Sequence, residues 1–172
     1  MLISDTHANH PCLNFLKQYT EIHEAMICGG CFKNIFKGEH IKDIDIFFPA
    51  KLNFDMAVRD MERDNQRYVM KYKNDNVTAF EDKSNHMILE LNNRLFGHSN
   101  EILKQFDFTI TKFAYMKEKV VYDTKFFEHL WMKRLVVDDN MPYPMSTFER
   151  MFKYARYGYQ PCRETKMRVI EA

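Results

Sequence analysis

From Pro11 to Glu24 the apolar positions Leu13, Phe15, Leu16, Tyr19 and Ile22 recur at helical spacing and predict a first helix. Ala25-Met26-Ile27-Cys28 is a short unbroken apolar run, the mark of a buried strand, and Gly29-Gly30 stops it. Cys31–Lys37 predicts a helical turn closed by Gly38. Across Ile41–Phe48 the pattern switches to alternation. Ile44 and Ile46 fall on one face, Asp43 and Asp45 on the other, as in a half-buried strand with its acids on a single face.

Downstream, Asn53–Asp64 predicts a second helix. Tyr68–Lys73, Val77–Phe80 and His86–Leu91 predict short strands bounded by Asn, Asp and Ser. Phe106–Tyr115 reads as a further strand. Phe126–Leu135 and Thr147–Tyr157 read as helices separated by a Pro-Tyr-Pro loop at 142–144. This order predicts an α+β domain: a short mixed sheet packed by helices, with a helical extension at the C-terminal end. The expected division is a head domain over 1–135 and a helical extension packed on it over 136–172.

Composition narrows the classes. The chain has 172 residues, 45% of them hydrophobic and 15% aromatic, enough for a sizeable core and too much for bulk disorder. Five Gly and five Pro exclude collagen-like and linker-like chains. No apolar run reaches the length of a membrane span and no secretory leader is visible, so a soluble, cytoplasmic protein without a membrane partner is expected. Charge is nearly balanced, 25 Lys and Arg against 24 Asp and Glu, so no global field selects nucleic acid. The balance is uneven along the chain: residues 1–111 hold 13 basic and 16 acidic side chains, residues 112–172 hold 12 and 8. A mildly acidic front and a basic tail suit a metal-binding head and a phosphate-contacting tail; a solvated surface is the plainer reading.

The four cysteines do not form a disulfide framework in a chain without an export signal. Cys28 and Cys31 have zinc-like spacing, but no second ligand pair follows, so both are expected reduced and metal-free. Asp5-Thr6-His7 matches the opening of a metallophosphoesterase motif whose remaining blocks are missing. His10, His86 and His129 show no ligand spacing.

The chemistry concentrates in Gly29-Gly30, twelve intervening residues, and Asp43-Ile44-Asp45. Paired glycines let a backbone turn sharply and bring its N–H groups to phosphate oxygens. Carboxylates two apart on a strand share a face at a separation of about 7 Å. Such a pair suits Mg²⁺ or Mn²⁺, hard cations that take carboxylate and phosphate oxygens together. Two metals held this way stabilise the attacking and leaving oxygens of phosphoryl or nucleotidyl transfer.

The segment Gly29-Gly30-Cys31-Phe32-Lys33-Asn34-Ile35-Phe36-Lys37-Gly38, then Asp43-Ile44-Asp45, resembles the GGxVRDxLLG…DxD signature of the CCA-adding enzyme and bacterial poly(A) polymerase group. That group belongs to the DNA polymerase beta-like nucleotidyltransferases. Lys33-Asn34 stands where the group has Arg-Asp, and Phe32 where it has Val. A second segment, Gln105 to Tyr115, resembles the group's RRDFTINAMAY block through Asp107, Phe108, Thr109, Ile110, Ala114 and Tyr115, with Gln105 and Phe106 in place of its arginines. A third, Thr147–Tyr159, is similar to the helix that follows the head in that group, Arg150 and Lys153 matching two basic positions.

The resemblance implies a nucleotidyltransferase fold and an enzyme that moves an NMP group from an NTP to an acceptor hydroxyl, releasing pyrophosphate. It assigns the metals to Asp43 and Asp45, and a sugar-positioning or third-acid role to Asp107. Nucleotide binding, ATP among the candidates, falls to Gly29, Gly30, Lys33, Arg150 and Lys153. The implied partners are an NTP and an RNA 3′ end, tRNA or another RNA. The group's EDxxR element and tRNA-binding body have no counterpart before Ala172, which predicts a minimal, stand-alone head. The alternative is a catalytically weak nucleotide-binding or regulatory module of the same fold.

Overall fold

The computed structural model describes residues 1–138 and 140–172. At its centre is β2 (Met26–Cys28), whose three residues are all buried. Ile27 points into the main core with Ile44, Ile46, Leu89, Leu91 and Phe113. Met26 and Cys28 point the other way, into a smaller cluster with Phe47, Ala114 and Val121. Both faces of the middle of the sheet are therefore covered, which is why this strand reads as continuous apolar sequence rather than alternation.

Around β2, the described residues build an eight-stranded mixed sheet in the order β1-β8-β7-β2-β3-β6-β5-β4. Its strands are β1 (Leu2–Asp5), β3 (Asp43–Phe48), β4 (Tyr68–Lys73), β5 (Val77–Asp82), β6 (Met87–Phe96), β7 (Phe113–Tyr115) and β8 (Val120–Asp123). β3 and β6 pair in parallel, with α3 (Lys51–Arg63) in the connection; the other pairings in this sheet are antiparallel. The remaining helices are α1 (Lys17–Thr20), α2 (Cys31–Phe36), α4 (Ser99–Leu103), α5 (Phe126–Trp131), α6 (Pro144–Arg156) and α7 (Arg163–Glu171). A two-stranded parallel pair, β9 (Arg134–Leu135) with β10 (Gln160–Pro161), ties the end of α5 to the end of α6. The result is the expected α+β fold, and no helix among the described residues is long and apolar enough to cross a membrane.

Several elements differ from the sequence reading. The predicted helix over 11–24 is mostly a 3-10 segment, Pro11–Leu16, followed by the single α-turn of α1. Its buried residues Leu13, Leu16 and Tyr19 recur every three positions, the period of a 3-10 helix. The strand expected over 106–115 survives only as β7, after a 3-10 turn at Thr109–Thr111. Local side-chain bonds claim the backbone there: Asp107 accepts from the Phe108 N–H at 2.9 Å and the Thr111 hydroxyl donates to the Phe108 carbonyl at 2.7 Å. Helix α5 stops at Trp131 instead of Leu135, because Lys133 takes a left-handed backbone, φ 52°. Pro144, read as loop, opens α6 at the first-turn position, where its missing N–H costs nothing.

An aromatic hub clamps these helices to the sheet. The Phe113 ring lies 4.5 Å from Phe32, 5.1 Å from Phe126 and 5.3 Å from both Phe36 and Tyr122, centroid to centroid. Aromatic pairs contribute beyond their buried area. Phe113→Leu, close in volume but without the ring, is expected to cost about 1–2 kcal/mol. Thermal unfolding followed by circular dichroism measures it, and an unchanged midpoint would remove the hub from the account.

Candidate active site

The site grows from the end of β2. Gly29 carries φ +114°, a conformation that strains any side chain, and its N–H bonds the Phe113 carbonyl at 3.2 Å. A Cβ on Gly29 would stand 3.6 Å from Asp45 Oδ2, so the glycine turn and the acidic strand are in contact. Gly30 is tighter: a Cβ there would come within 3.2 Å of the Tyr154 hydroxyl on α6. The two glycines thus let the turn lie between the acids and the helix.

On β3, Asp43 is exposed and Asp45 half-buried, with the buried Ile44 and Ile46 on the opposite face. Sheet register supplies a further acid that the sequence reading missed. Asp45 is the parallel partner of Glu90, Glu90 the antiparallel partner of Ala79, and Ala79 that of Tyr72. Cross-strand partners share a face. Ala79 is small, and the Tyr72 hydroxyl reaches across it to donate to Glu90. Nothing in the spacing of Glu90 from the Asp43/Asp45 pair marks it; only the β3–β6 pairing does.

Burial, the hydrogen bond with Glu90 and the charges of Glu90 and Asp43 push the Asp45 carboxyl up to about 8. Asp45 therefore keeps its proton into the neutral range. The folded state binds this proton more tightly than the unfolded chain, so the stabilisation is complete at low pH and is lost as pH rises from the ordinary carboxylate range to about 8. Melting curves between pH 5 and 9 should fall more steeply for the parent than for Asp45→Asn. Parallel curves would contradict the raised Asp45 carboxyl.

Across the cleft stand the cations. Lys33 Nζ donates to the Gly30 carbonyl at 3.1 Å and to Asn34 Oδ1 at 2.6 Å. Burial lowers its pKa, and Lys153 and Arg150 press in the same direction. Arg150 Nη1 bonds both Asp107 oxygens, at 2.9 and 2.8 Å, and Thr147 donates to Asp107 Oδ2 at 3.2 Å. Asp107 is buried and saturated by these partners, so in this arrangement it anchors Arg150, while the carboxylate set against Asp45 is Glu90. Arg150 Nη2 also donates to the Tyr154 hydroxyl at 3.2 Å.

Gly30, Lys33, Asp43, Asp45, Arg150 and Lys153 line one cleft of about 570 Å³. Cys31 also lines it, its thiol held protonated by burial and by the charge of Asp45. All four cysteines are free. Among the described residues, no three His, Cys, Asp or Glu side chains already stand as a ligand set for one metal ion. A larger cavity, about 1030 Å³, opens at the far ends of β2 and β3 and contains none of these groups.

A family profile described as the Gabija anti-defense 2 family, Gad2, matches residues 6–133. The chain belongs to that family. The matched span carries the glycine turn, Asp43, Asp45, Glu90 and Asp107, and leaves Arg150 and Lys153 outside it. No curated protein matches. Among solved structures, a tRNA-processing enzyme superposes with TM-score 0.68 at 17% identity, covering 95% of this chain and 47% of that one. The Thermotoga maritima CCA-adding enzyme complexed with tRNA gives 0.65 at 14%, covering 98% and 45%. A tRNA nucleotidyltransferase complexed with a primer tRNA and an incoming ATP analog gives 0.63 at 16%, covering 90% and 48%. This Gad2-family chain thus has a nucleotidyltransferase-like fold and spans about half the length of those structures.

Proposed function

We propose that this Gad2-family chain is a metal-dependent nucleotidyltransferase that moves an NMP group from an NTP to an acceptor hydroxyl, an RNA 3′ end in the first instance. The observation that carries the reading is that Asp43 and Asp45, with Glu90 beside Asp45 on the next strand, share one cleft with Lys33, Arg150 and Lys153 at the glycine turn. The acids fit a hard cation: burial and the neighbouring carboxylates keep a proton on Asp45, and a divalent ion would neutralise the same charge. Asp43 and Asp45 would hold Mg²⁺ or Mn²⁺, with Glu90 beside Asp45. When bound, the ion supplies charge neutralisation at the reacting phosphate and the acceptor oxygen.

The chain's own residues do the positioning. Gly30 leaves room for the Tyr154 hydroxyl against the turn, and Lys33 and Lys153, which line the cleft, would offer triphosphate oxygens charge-assisted hydrogen bonds. Arg150, fixed by Asp107 and Tyr154, would add its positive charge from a preset angle. In the reaction, the acceptor oxygen forms a bond to the α-phosphorus, the bond to pyrophosphate breaks, and the hydroxyl proton passes to solvent water. Positioning and electrostatics do most of such work, and no Ser, Cys or His nucleophile is required. The family name records action against a defence system, and we place the transfer reaction in that role.

The direct test is incubation with each α-labelled NTP and Mg²⁺ or Mn²⁺, offering total RNA and protein as acceptors. Label moving to RNA 3′ ends is the expected result; label on protein redirects the acceptor, and no label anywhere defeats the reading.

A further inference from the structure

The protein's single tryptophan is Trp131, and it is 65% exposed. Met132 beside it is 58% exposed. Exposed large apolar side chains in a cluster mark a binding surface more often than an accident of the fold. This cluster adjoins the cleft. Lys133, the next residue, lines the cleft together with Tyr157, itself 55% exposed. The Gly158 turn packs on Lys133: a Cβ there would lie 3.8 Å from Lys133 Nζ, and the Gln160 N–H bonds the Lys133 carbonyl at 2.8 Å. The cleft lining thus runs from the acids past Lys153 and Tyr157 to Lys133, and the exposed Met132 and Trp131 extend this track in sequence.

Lys133 occupies this track at a backbone φ of 52°, where a helix end normally uses glycine. A strained residue retained at a site points to a use for its side chain. The charge beside the aromatics is positive. Lys133, Arg134 and Arg156 are exposed, and the one acid of α5, Glu128, is paired with Lys125 at 2.9 Å. Aromatic faces interleaved with cations, running away from a phosphate-handling cleft, are the chemistry that holds single-stranded nucleic acid: bases stack and phosphates meet Lys and Arg.

We infer that Trp131, Met132, Lys133 and Tyr157 form a docking track for single-stranded nucleic acid, which delivers its 3′ end to the cleft. The inference rests on the transfer reading above for that end point, but the docking is tested without it. A 12-nucleotide oligouridylate and an oligothymidylate are titrated into the whole protein without NTP or metal. Because the chain has one tryptophan, its fluorescence reports on Trp131 directly. Both single strands should quench it, and raising salt from 50 to 200 mM should weaken binding about tenfold. Inorganic tripolyphosphate, which fills only the cleft, should leave the fluorescence unchanged.

Two variants guard the interpretation. By anisotropy of labelled oligonucleotide, Trp131→Ala should bind at least ~5-fold more weakly, since a stacked base contributes that much. Lys133→Gly relieves the left-handed backbone, so it should melt no lower than the parent and still lose affinity. Absence of quenching, or unaltered affinity in both variants, overturns the track; a duplex that binds as well as the single strands removes the stacking argument, and a basic protein segment that alone quenches Trp131 makes it a protein-docking face. Oligonucleotide binding without any NTP transfer defeats the catalytic reading alone. Transfer without docking at Trp131 defeats this inference alone.

Discussion

Replacing Asp43 and Asp45 together by Asn will remove NTP-dependent transfer, a fall of at least ~10³-fold, while leaving the metal-free protein as stable as the parent or more stable. The two halves of this expectation have one cause. Without a cation, Asp43, Asp45 and Glu90 crowd one face, and Asp45 is pushed up to about 8 by burial, Glu90 and Asp43. Asn keeps the shape and removes the repulsion. It also removes the charges that the proposed transfer needs at the phosphate. Thermal melts and single-turnover assays on the same preparations check both. If the domain only binds nucleotide, there is no transfer to lose, but Mg²⁺·NTP should still raise the parent's melting temperature by mass action and the variant's far less. A destabilised variant whose melting temperature, like the parent's, ignores nucleotide would make the acids structural and end both readings.

The glycine turn and the acidic strand were legible because each is local. Gly29-Gly30 must follow a strand to turn sharply, and Asp43-Ile44-Asp45 shows its faces by alternation. Glu90 was not legible. It enters the site through the β3–β6 pairing, and β6 lies 38 residues beyond β3 in sequence when counted from Phe48 to Met87 with both ends excluded. The Asp107 block was legible as a motif and misread as a strand, because Asp107 and Thr111 bond the backbone locally and break the ladder. The fold class followed from the order of apolar runs. The short elements β1, β8 and β10 escaped because two to four residues carry too little periodicity to register.

Arg150→Ala will destabilise the fold as well as the site, and the contrast with the acids is informative. Asp107 is only 4% exposed, and Arg150 meets both of its oxygens. Removing the arginine strands a buried carboxylate, which for a fully buried pair costs roughly 3–5 kcal/mol. The Arg150 side chain is 39% exposed, so water screens part of this and about 2–3 kcal/mol is the expected loss. At this chain length that lowers the melting temperature by about 4–10 °C. Asp107→Asn with Arg150→Gln keeps a neutral hydrogen bond in place of the ion pair and should recover most of that stability, since neither partner is left charged and alone. Under the proposed function, activity should not recover with it, because the triphosphate would lose the guanidinium that Asp107 holds in place. A double variant that regains both stability and transfer would confine Arg150 to holding α6 on the sheet; one that regains neither would show that α6 packs through the charge itself.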